Sequence, residues 1–299
     1  MKELIYKENK KQRIDIYVSD NIKELSRSQI QKLIKAEEIL VNNKQVKSRY
    51  ILKIDDFITI NMPSEEEEEL KAIDYPIEVI YQDDYLAIVN KPAGMVVYPG
   101  AGKEKVSLVA ALKGMDMPLS TIYEEENRNG IVHRLDKDTS GLMMIAKDND
   151  THEKLSALLK KREVVRKYYA MVSGQLEHDF GTIDAPIGRD ERNRVKRTIT
   201  SEGKEAKTYF TVKERFDNFS FLECELYSGR THQIRVHMRY IKHPILADPL
   251  YGHKDKYNLD SLLLQSCFLE FVHPQSQEKK SFRLEVRDDF KKLMQKWRK

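Results

Sequence analysis

Two kinds of hydrophobic spacing divide this chain. Between Ser26 and Ile39 the apolar residues Ile30, Leu33 and Ile34 recur three and four positions apart, the period that gathers side chains on one helix face. Ser26 followed by Gln29 gives a capping-box pattern, so a short helix is expected there, with Arg27, Lys32 and Lys35 on its other faces. Ile39-Leu40-Val41 then leads through Asn42-Asn43-Lys44 to Val46, and Asp55-Asp56 introduces Phe57 to Ile60. These are strand and turn signals, and residues 1–63 read as a small helix-plus-hairpin module.

From Tyr75 onward the spacing changes. Apolar runs at Ile77 to Tyr81, Leu86 to Val89, Leu142 to Ala146, Lys167 to Val172, Tyr209 to Val212 and Phe221 to Tyr227 predict strands. Helical spacing is confined to Leu155, Leu158 and Leu159 and to Ile234, Met238 and Ile241. Strands that outnumber helices without strict alternation favour an α+β fold with a mainly antiparallel sheet over a doubly wound parallel one. Between the modules, Pro63-Ser64 and the run Glu65 to Glu69 have no apolar periodicity, and adjacent like charges repel into an extended segment. The expected organisation is a module at 1–63, an acidic linker at 64–74 and a larger domain at 75–299.

Composition sharpens this picture. With 40% hydrophobic and 33% charged residues over 299 positions, the chain has a globular balance and length enough for two domains. Cys224 and Cys267 lie far apart in sequence, which supports neither a disulfide framework nor a cysteine zinc site and suggests a reducing interior. The opening MKELIYKENKKQRIDIYV lacks an apolar signal core, and no stretch approaches the roughly 20 apolar residues of a membrane span. A cytoplasmic protein with no membrane partner is expected. Charge is uneven: residues 1–63 carry a net +4, residues 64–85 a net −8 and residues 86–299 a net +8. Two basic bodies around an acidic connector suit a polyanion, and equally suit ordinary solubilising surfaces.

Familiar chemical motifs fail on spacing. Glycines near Gly94 and Gly100 to Lys103 match neither the Walker loop nor G-x-G-x-x-G, because Val97, Glu104 and Val106-Ser107 stand where those patterns need other residues. No H-E-x-x-H occurs, His232 and His237 are poorly spaced for one helix face, and there is no G-x-S-x-G elbow. What stands out is Gly130-Ile131-Val132-His133-Arg134-Leu135-Asp136-Lys137-Asp138-Thr139-Ser140-Gly141-Leu142, a dense polar turn between apolar runs. Such a loop either carries a site or satisfies its own backbone, and the residues alone leave both open.

That segment resembles the H-R-L-D-x-x-T-S-G signature of the RluA/RluD-type pseudouridine synthases. The resemblance continues at Asn90 to Gly100, at Arg166-Lys167-Tyr168-Tyr169-Ala170, at Gly229-Arg230-Thr231-His232-Gln233-Ile234-Arg235-Val236-His237, and from His243-Pro244 to Asp248-Pro249-Leu250-Tyr251-Gly252. It spans about residues 75–290 and is nearest the RluD-like branch. Residues 1–63 resemble the small alpha-L RNA-binding domain of ribosomal proteins, through Arg13-Ile14-Asp15 and Ser26-Arg27-Ser28.

The resemblance implies an isomerase that detaches uracil from a ribose, turns it and rejoins it through C5, with no metal or organic cofactor. It implies Asp136 as the catalytic carboxylate, Arg235 as its partner and Tyr168 as the residue packed on the base. His133 and Arg134 are implied to assist an extruded base. Arg166, Lys167, Arg230 and the basic stretch Arg189 to Arg197 are implied phosphate contacts, with Arg13, Arg27, Lys32 and Lys35 serving the small domain. Large-subunit ribosomal RNA is the expected substrate and a monomer the expected state. Two residues depart from the family's pattern: Tyr98 and Gln265 stand where many relatives have His, which touches substrate preference more than chemistry. Two other readings stay open at this point, a non-catalytic RNA-binding assembly factor and a nucleoside or nucleotide hydrolase.

Overall fold

The computed structural model describes residues 2–22, 25, 27–61, 70–99, 106–123, 127–193, 195–252, 257 and 259–298. Ser26, the glutamate run, Gly100 to Lys103 and Arg194 lie outside the described residues. The chain forms two compact units, residues 1–69 and residues 70–299.

The small unit holds β1 (Lys2–Ile5), α1 (Ile14–Asn21), α2 (Arg27–Lys35), β2 (Ile39–Val41), β3 (Lys44–Gln45) and β4 (Phe57–Ile60). Its antiparallel sheet runs β1-β4-β2-β3. Ile30 and Ile34, the predicted apolar face of α2, are buried with Ile14, Val18, Ile39, Ile58 and Ile60. The helix is shorter than its hydrophobic pattern suggests. Glu37 adopts a left-handed φ of 64° and the Glu38 N–H donates to the Leu33 carbonyl, so the chain turns away and Ile39 begins a strand.

The large unit begins at Leu70. Leu70 and Ile73 pack against its core, and the Ile73 N–H donates to the Ala110 carbonyl at 3.1 Å. Residues 70–74, read above as the end of a linker, are therefore part of this body, because two apolar side chains among the acids find a hydrophobic surface. Its strands are β5 (Glu78–Gln82), β6 (Leu86–Lys91), β7 (Ser140–Ala146), β8 (Val165–Ser173), β9 (Phe180–Asp184), β10 (Ile187–Arg189), β11 (Arg197–Ile199), β12 (Lys207–Phe216), β13 (Phe219–Leu226), β14 (Leu264–Val272) and β15 (Lys279–Arg283). Its helices are α3 (Leu108–Gly114), α4 (Asn149–Lys161), α5 (Gln233–Tyr240) and α6 (Asp288–Trp297).

A mixed sheet of nine strands runs β5-β6-β7-β14-β8-β13-β12-β9, with β15 also on β14. Every pairing is antiparallel except β7 with β14, so the α+β fold with a mainly antiparallel sheet is what the chain adopts. β7 is buried at every position, and Gly141 explains how β14 reaches it. A Cβ there would sit 2.1 Å from the Ser266 carbonyl oxygen, and φ is +113°, so only glycine permits this approach. β14 draws the β6–β7 half and the β8–β13–β12 half into one sheet.

Helices close the faces. Asp148 caps α4 by accepting the Thr151 N–H at 2.8 Å, and Ser107 caps α3 by accepting the Ala110 N–H at 3.2 Å. α6 buries Phe290, Leu293 and Met294 against Met171, Phe219 and Phe221, about 1.5–3 kcal/mol for each side chain so covered.

Candidate active site

Four separate segments converge on one cavity of about 470 Å³. The loop before β7 contributes His133 to Asp136, β8 contributes Arg166 and Tyr168, and the end of β13 leads into Tyr227 to Gly229. The turn into α5 contributes Arg230 to Ile234. The last two are continuous in sequence, and the other two lie far from them and from each other. The sheet brings them together, because β7 and β8 both flank β14.

Behind the cavity-lining Asp136 stands Arg235, in the first turn of α5 and 2% exposed. Its Nε and Nη2 donate to Oδ2 and Oδ1 of Asp248 at 2.8 and 2.9 Å, while Nη1 donates to Oδ2 of Asp136 at 3.1 Å. Asp248 Oδ1 also accepts the Leu250 and Tyr251 N–H groups at 2.9 and 3.0 Å. Burial alone pushes the Arg235 guanidinium down, but Asp248 and then Asp136 outweigh it and hold the cation above its ordinary value. For Asp248 burial pushes up, and Arg235 with the two backbone donors brings the carboxyl below its usual range. The result is a fixed cation with one donor left for Asp136. The resemblance assigns a role to Arg235 and none to Asp248, although Asp248 stands in one of the matching segments.

Tyr168 is 5% exposed and forms the cavity wall. Burial raises its phenol, with Arg166 and Ser266 opposing, so the ring is a neutral stacking surface. Alternation along β8 sends Arg166 and Tyr168 to the cavity and Lys167 to the opposite face. Lys167 does not line the cavity; it pairs with Glu223 and Glu225 at 3.5 and 3.3 Å. Arg166 itself is 8% exposed, and its Nε is buried without a partner among the described residues. It meets Gly229, where a Cβ would lie 2.8 Å from its Nη1. A buried cation short of partners at the wall of a cavity favours an anionic or strongly accepting ligand.

His133 has a different part from the expected one. Its Nε2 accepts the Met144 N–H at 3.0 Å, tying the loop to β7, and burial followed by Arg166 pushes the ring down to about 3. It is neutral and supplies no charge to a phosphate. Arg134 is exposed, donates to the Tyr98 hydroxyl at 2.6 Å and lies 5.1 Å over that ring. Arg128 sits 4.5 Å over the same ring. Tyr98 thus occupies the family's His position as a platform for two guanidinium groups. Gln265 accepts the Arg287 N–H at 3.1 Å and donates to the Glu285 carbonyl at 2.9 Å, a structural task away from the cavity lining. Arg230 lines the cavity and donates to the Glu205 carbonyl at 3.0 Å.

Three further residues shape the site. Lys91, 0% exposed, donates to the Pro92, Met95 and Lys137 carbonyls at 2.9, 2.8 and 3.0 Å, tying the loop after β6 to the loop that carries Asp136. Burial pushes it down to about 7, with Asp136 and Asp138 pulling the other way. His232 precedes α5 rather than sharing it with His237, and its Nε2 lies 3.8 Å from Asp136 Oδ1. Tyr251 supports it through a 2.8 Å contact to Nδ1. In the small unit, Arg13 and Arg27 both bind the buried Asp15 at 2.9 and 3.1 Å, so half of each guanidinium's charge is already answered. Lys32 and Lys35 stay exposed on α2.

Residues 84–240 match the RNA pseudouridylate synthase family, and residues 12–58 match the S4 domain. The chain is 41% identical over 292 residues to an uncharacterized RNA pseudouridine synthase of Bacillus subtilis, covering 98% of this chain and 96% of that one. It is 38% identical over 295 residues to a ribosomal large subunit pseudouridine synthase D of Xanthomonas campestris, covering 94% and 88%. Among solved structures, human RNA pseudouridylate synthase domain containing 1 shares the fold, with a TM-score of 0.60, 20% identity, and coverage of 75% of this chain and 96% of that one. A cavity built around an arginine-paired aspartate, on this sheet and with these relatives, places the chain in the RNA pseudouridylate synthase family, as an RNA-modifying isomerase preceded by an S4 domain.

Proposed function

We propose that this enzyme isomerises particular uridines of large-subunit ribosomal RNA, with Asp136 as the reacting carboxylate. The observation that carries the reading is the 3.1 Å contact from the buried Arg235 to Asp136, which lines the cavity. The synthases named for the large ribosomal subunit, 36–38% identical to this chain, support the substrate.

In the reaction the C1′–N1 bond breaks, uracil turns, and a C5–C1′ bond forms as C5 loses its proton and N1 gains one. Asp136 starts this either by attacking C1′ or by taking the C2′ proton, and both routes need an ionised carboxylate. Arg235 supplies the opposing charge and a fixed direction. Tyr168 stacks on the uracil while it is detached, and the walls keep it from water. A paired uridine must leave its helix to reach Asp136, and Arg134, Arg166 and Arg230 contact the RNA as it does. Lys32 and Lys35, with the exposed sides of Arg13 and Arg27, give the small unit its affinity for the phosphate backbone. The enzyme works as a cytoplasmic monomer, and sedimentation showing a stable dimer would contradict that part.

Tritium release from C5-labelled large-subunit RNA transcripts tests the reading, comparing wild type with Asp136→Asn. Release that vanishes in the variant supports it. Tight binding without release on any RNA supports an assembly factor, and free uracil among the products supports a hydrolase.

A further inference from the structure

The two oxygens of Asp136 are treated differently. Oδ2 accepts from Arg235, whereas Oδ1 accepts no hydrogen bond among the described residues and faces His232 Nε2 at 3.8 Å. That separation is too long for a hydrogen bond. It suits a third atom: an oxygen about 2.8–2.9 Å from each closes the triangle at ordinary hydrogen-bond lengths.

The surroundings favour a proton on Nε2 of the ring. The Tyr251 oxygen accepts the Arg197 N–H at 2.7 Å, and its own proton has His232 Nδ1 within reach at 2.8 Å. Nδ1 is then the acceptor and Nε2–H points toward Asp136. Burial, partly opposed by Asp136, lowers the ring's proton affinity and keeps it neutral. The backbone holds this aim at some cost: His232 is left-handed, with φ 59° and ψ 20°, a region that non-glycine residues avoid and that persists where the surroundings impose it. Gln233 imposes it by accepting from Ser228 Oγ and the Arg230 N–H, and by donating to the Lys207 carbonyl and Thr208 Oγ.

A donor and an acceptor on either side of one oxygen position are complementary to a hydroxyl, which accepts from one and donates to the other. Asp136 addresses C1′ or C2′ of the ribose, and the only hydroxyl on those two carbons is the 2′-hydroxyl. We propose that His232 Nε2–H and Asp136 Oδ1 together hold the 2′-hydroxyl of the target uridine, so that His232 is the residue by which the site distinguishes RNA from DNA at the reacting sugar. This rests on the isomerase reading of the cavity. Tyr251 is its positioning residue, since its phenol fixes the tautomer.

The test measures binding in the Asp136→Asn background, where turnover is blocked and His232 Nε2–H, the donor on which the assignment depends, is unchanged. The probes are one RNA fragment that shows C5 tritium release with the wild-type enzyme, and the same fragment with 2′-deoxyuridine at the modified position. The deoxy fragment should bind about tenfold more weakly, the worth of one buried hydrogen-bonded hydroxyl. Adding His232→Asn, which tolerates the left-handed backbone, should bring that ratio close to one. Tyr251→Phe should reduce it partway while leaving the fold intact by circular dichroism. An unchanged tenfold ratio in both added variants, or no discrimination before they are added, overturns the assignment while tritium release leaves the isomerase reading standing. Absence of release from every RNA overturns both.

Discussion

Arg235 grips Asp248 through two nitrogens and offers a third to Asp136. Because Asp248 is itself held by two backbone N–H groups, the guanidinium is fixed before any substrate arrives. Asp248→Asn should therefore cost both stability and activity although it touches no substrate. Breaking a buried ion pair on one side costs roughly 3–5 kcal/mol, readable by urea unfolding. The folded carboxyl lies below its ordinary value of 3.8, so its contribution is present above that pH and is lost as pH falls through the folded value. The stability of Asp248→Asn should accordingly fall less steeply than wild type below pH 4, and parallel acid curves would contradict the assignment.

Gly229 leaves room for the Arg166 guanidinium. Since the atom a new Cβ would strike is the far end of a flexible side chain, Gly229→Ala should fold normally and displace Arg166 from the cavity wall. We expect kcat/KM to drop about tenfold, the order of one charged contact made in the transition state, with a midpoint of thermal unfolding within about 2 °C of wild type. Full activity in this variant would remove Arg166 from the proposed RNA contacts.

Lys91 gives a pH signature of the same sign as Asp248 in a separate, alkaline window. Its folded value of about 7 lies below the ordinary 10.5, so between those limits the unfolded chain binds the extra proton. Stability from this group then rises with pH across that window. Lys91→Met abolishes the slope. The difference in unfolding free energy should shift in favour of wild type from pH 7 to pH 10, and a difference that stays constant would show the ammonium unperturbed.

In the small unit, Lys32→Ala with Lys35→Ala should weaken RNA binding without loss of stability, because both side chains are exposed. The slope of log affinity against log salt should fall by about one for each phosphate contact removed. Arg27→Ala should instead destabilise the unit, since Asp15 is buried and relies on Arg13, Arg27 and Gln31. Equal stability of wild type and Arg27→Ala in isothermal urea titration would contradict that distinction.

The sequence was most legible where one local rule decided the outcome. Continuous apolar runs point to β6, β7 and β13, and helical apolar spacing points to α4 and α5. The H-R-L-D and R-T-H-Q-I-R resemblances led to Asp136 and Arg235, which the fold joins across 99 residues. Arg166 and Lys167 adjoin in sequence, but alternation along a strand sends them to opposite faces, and only Arg166 lines the cavity. The resemblance implies that His133 assists an extruded base, and only the fold shows its Nε2 occupied by the Met144 N–H. β14 went unread because Leu262 to Leu264 merges with Gln265-Ser266 into a run of no clear period, buried by neighbours distant in sequence. Asp248, Lys91 and Tyr251 act only through partners that folding supplies, which is why no spacing rule points to them.

The parallel contact of β7 with β14 also sets an order of events during synthesis. The loop bearing Asp136 runs directly into β7, and β7 is completed on one side only when Gln265 and Ser266 arrive, 124 residues after Leu142. Such a contact closes late, after the local hairpins have formed. A ribosome making this chain will therefore release a finished small unit, with its own buried core, well before the catalytic sheet is closed. Nascent chains halted short of β14 should hold RNA and leave every uridine unchanged.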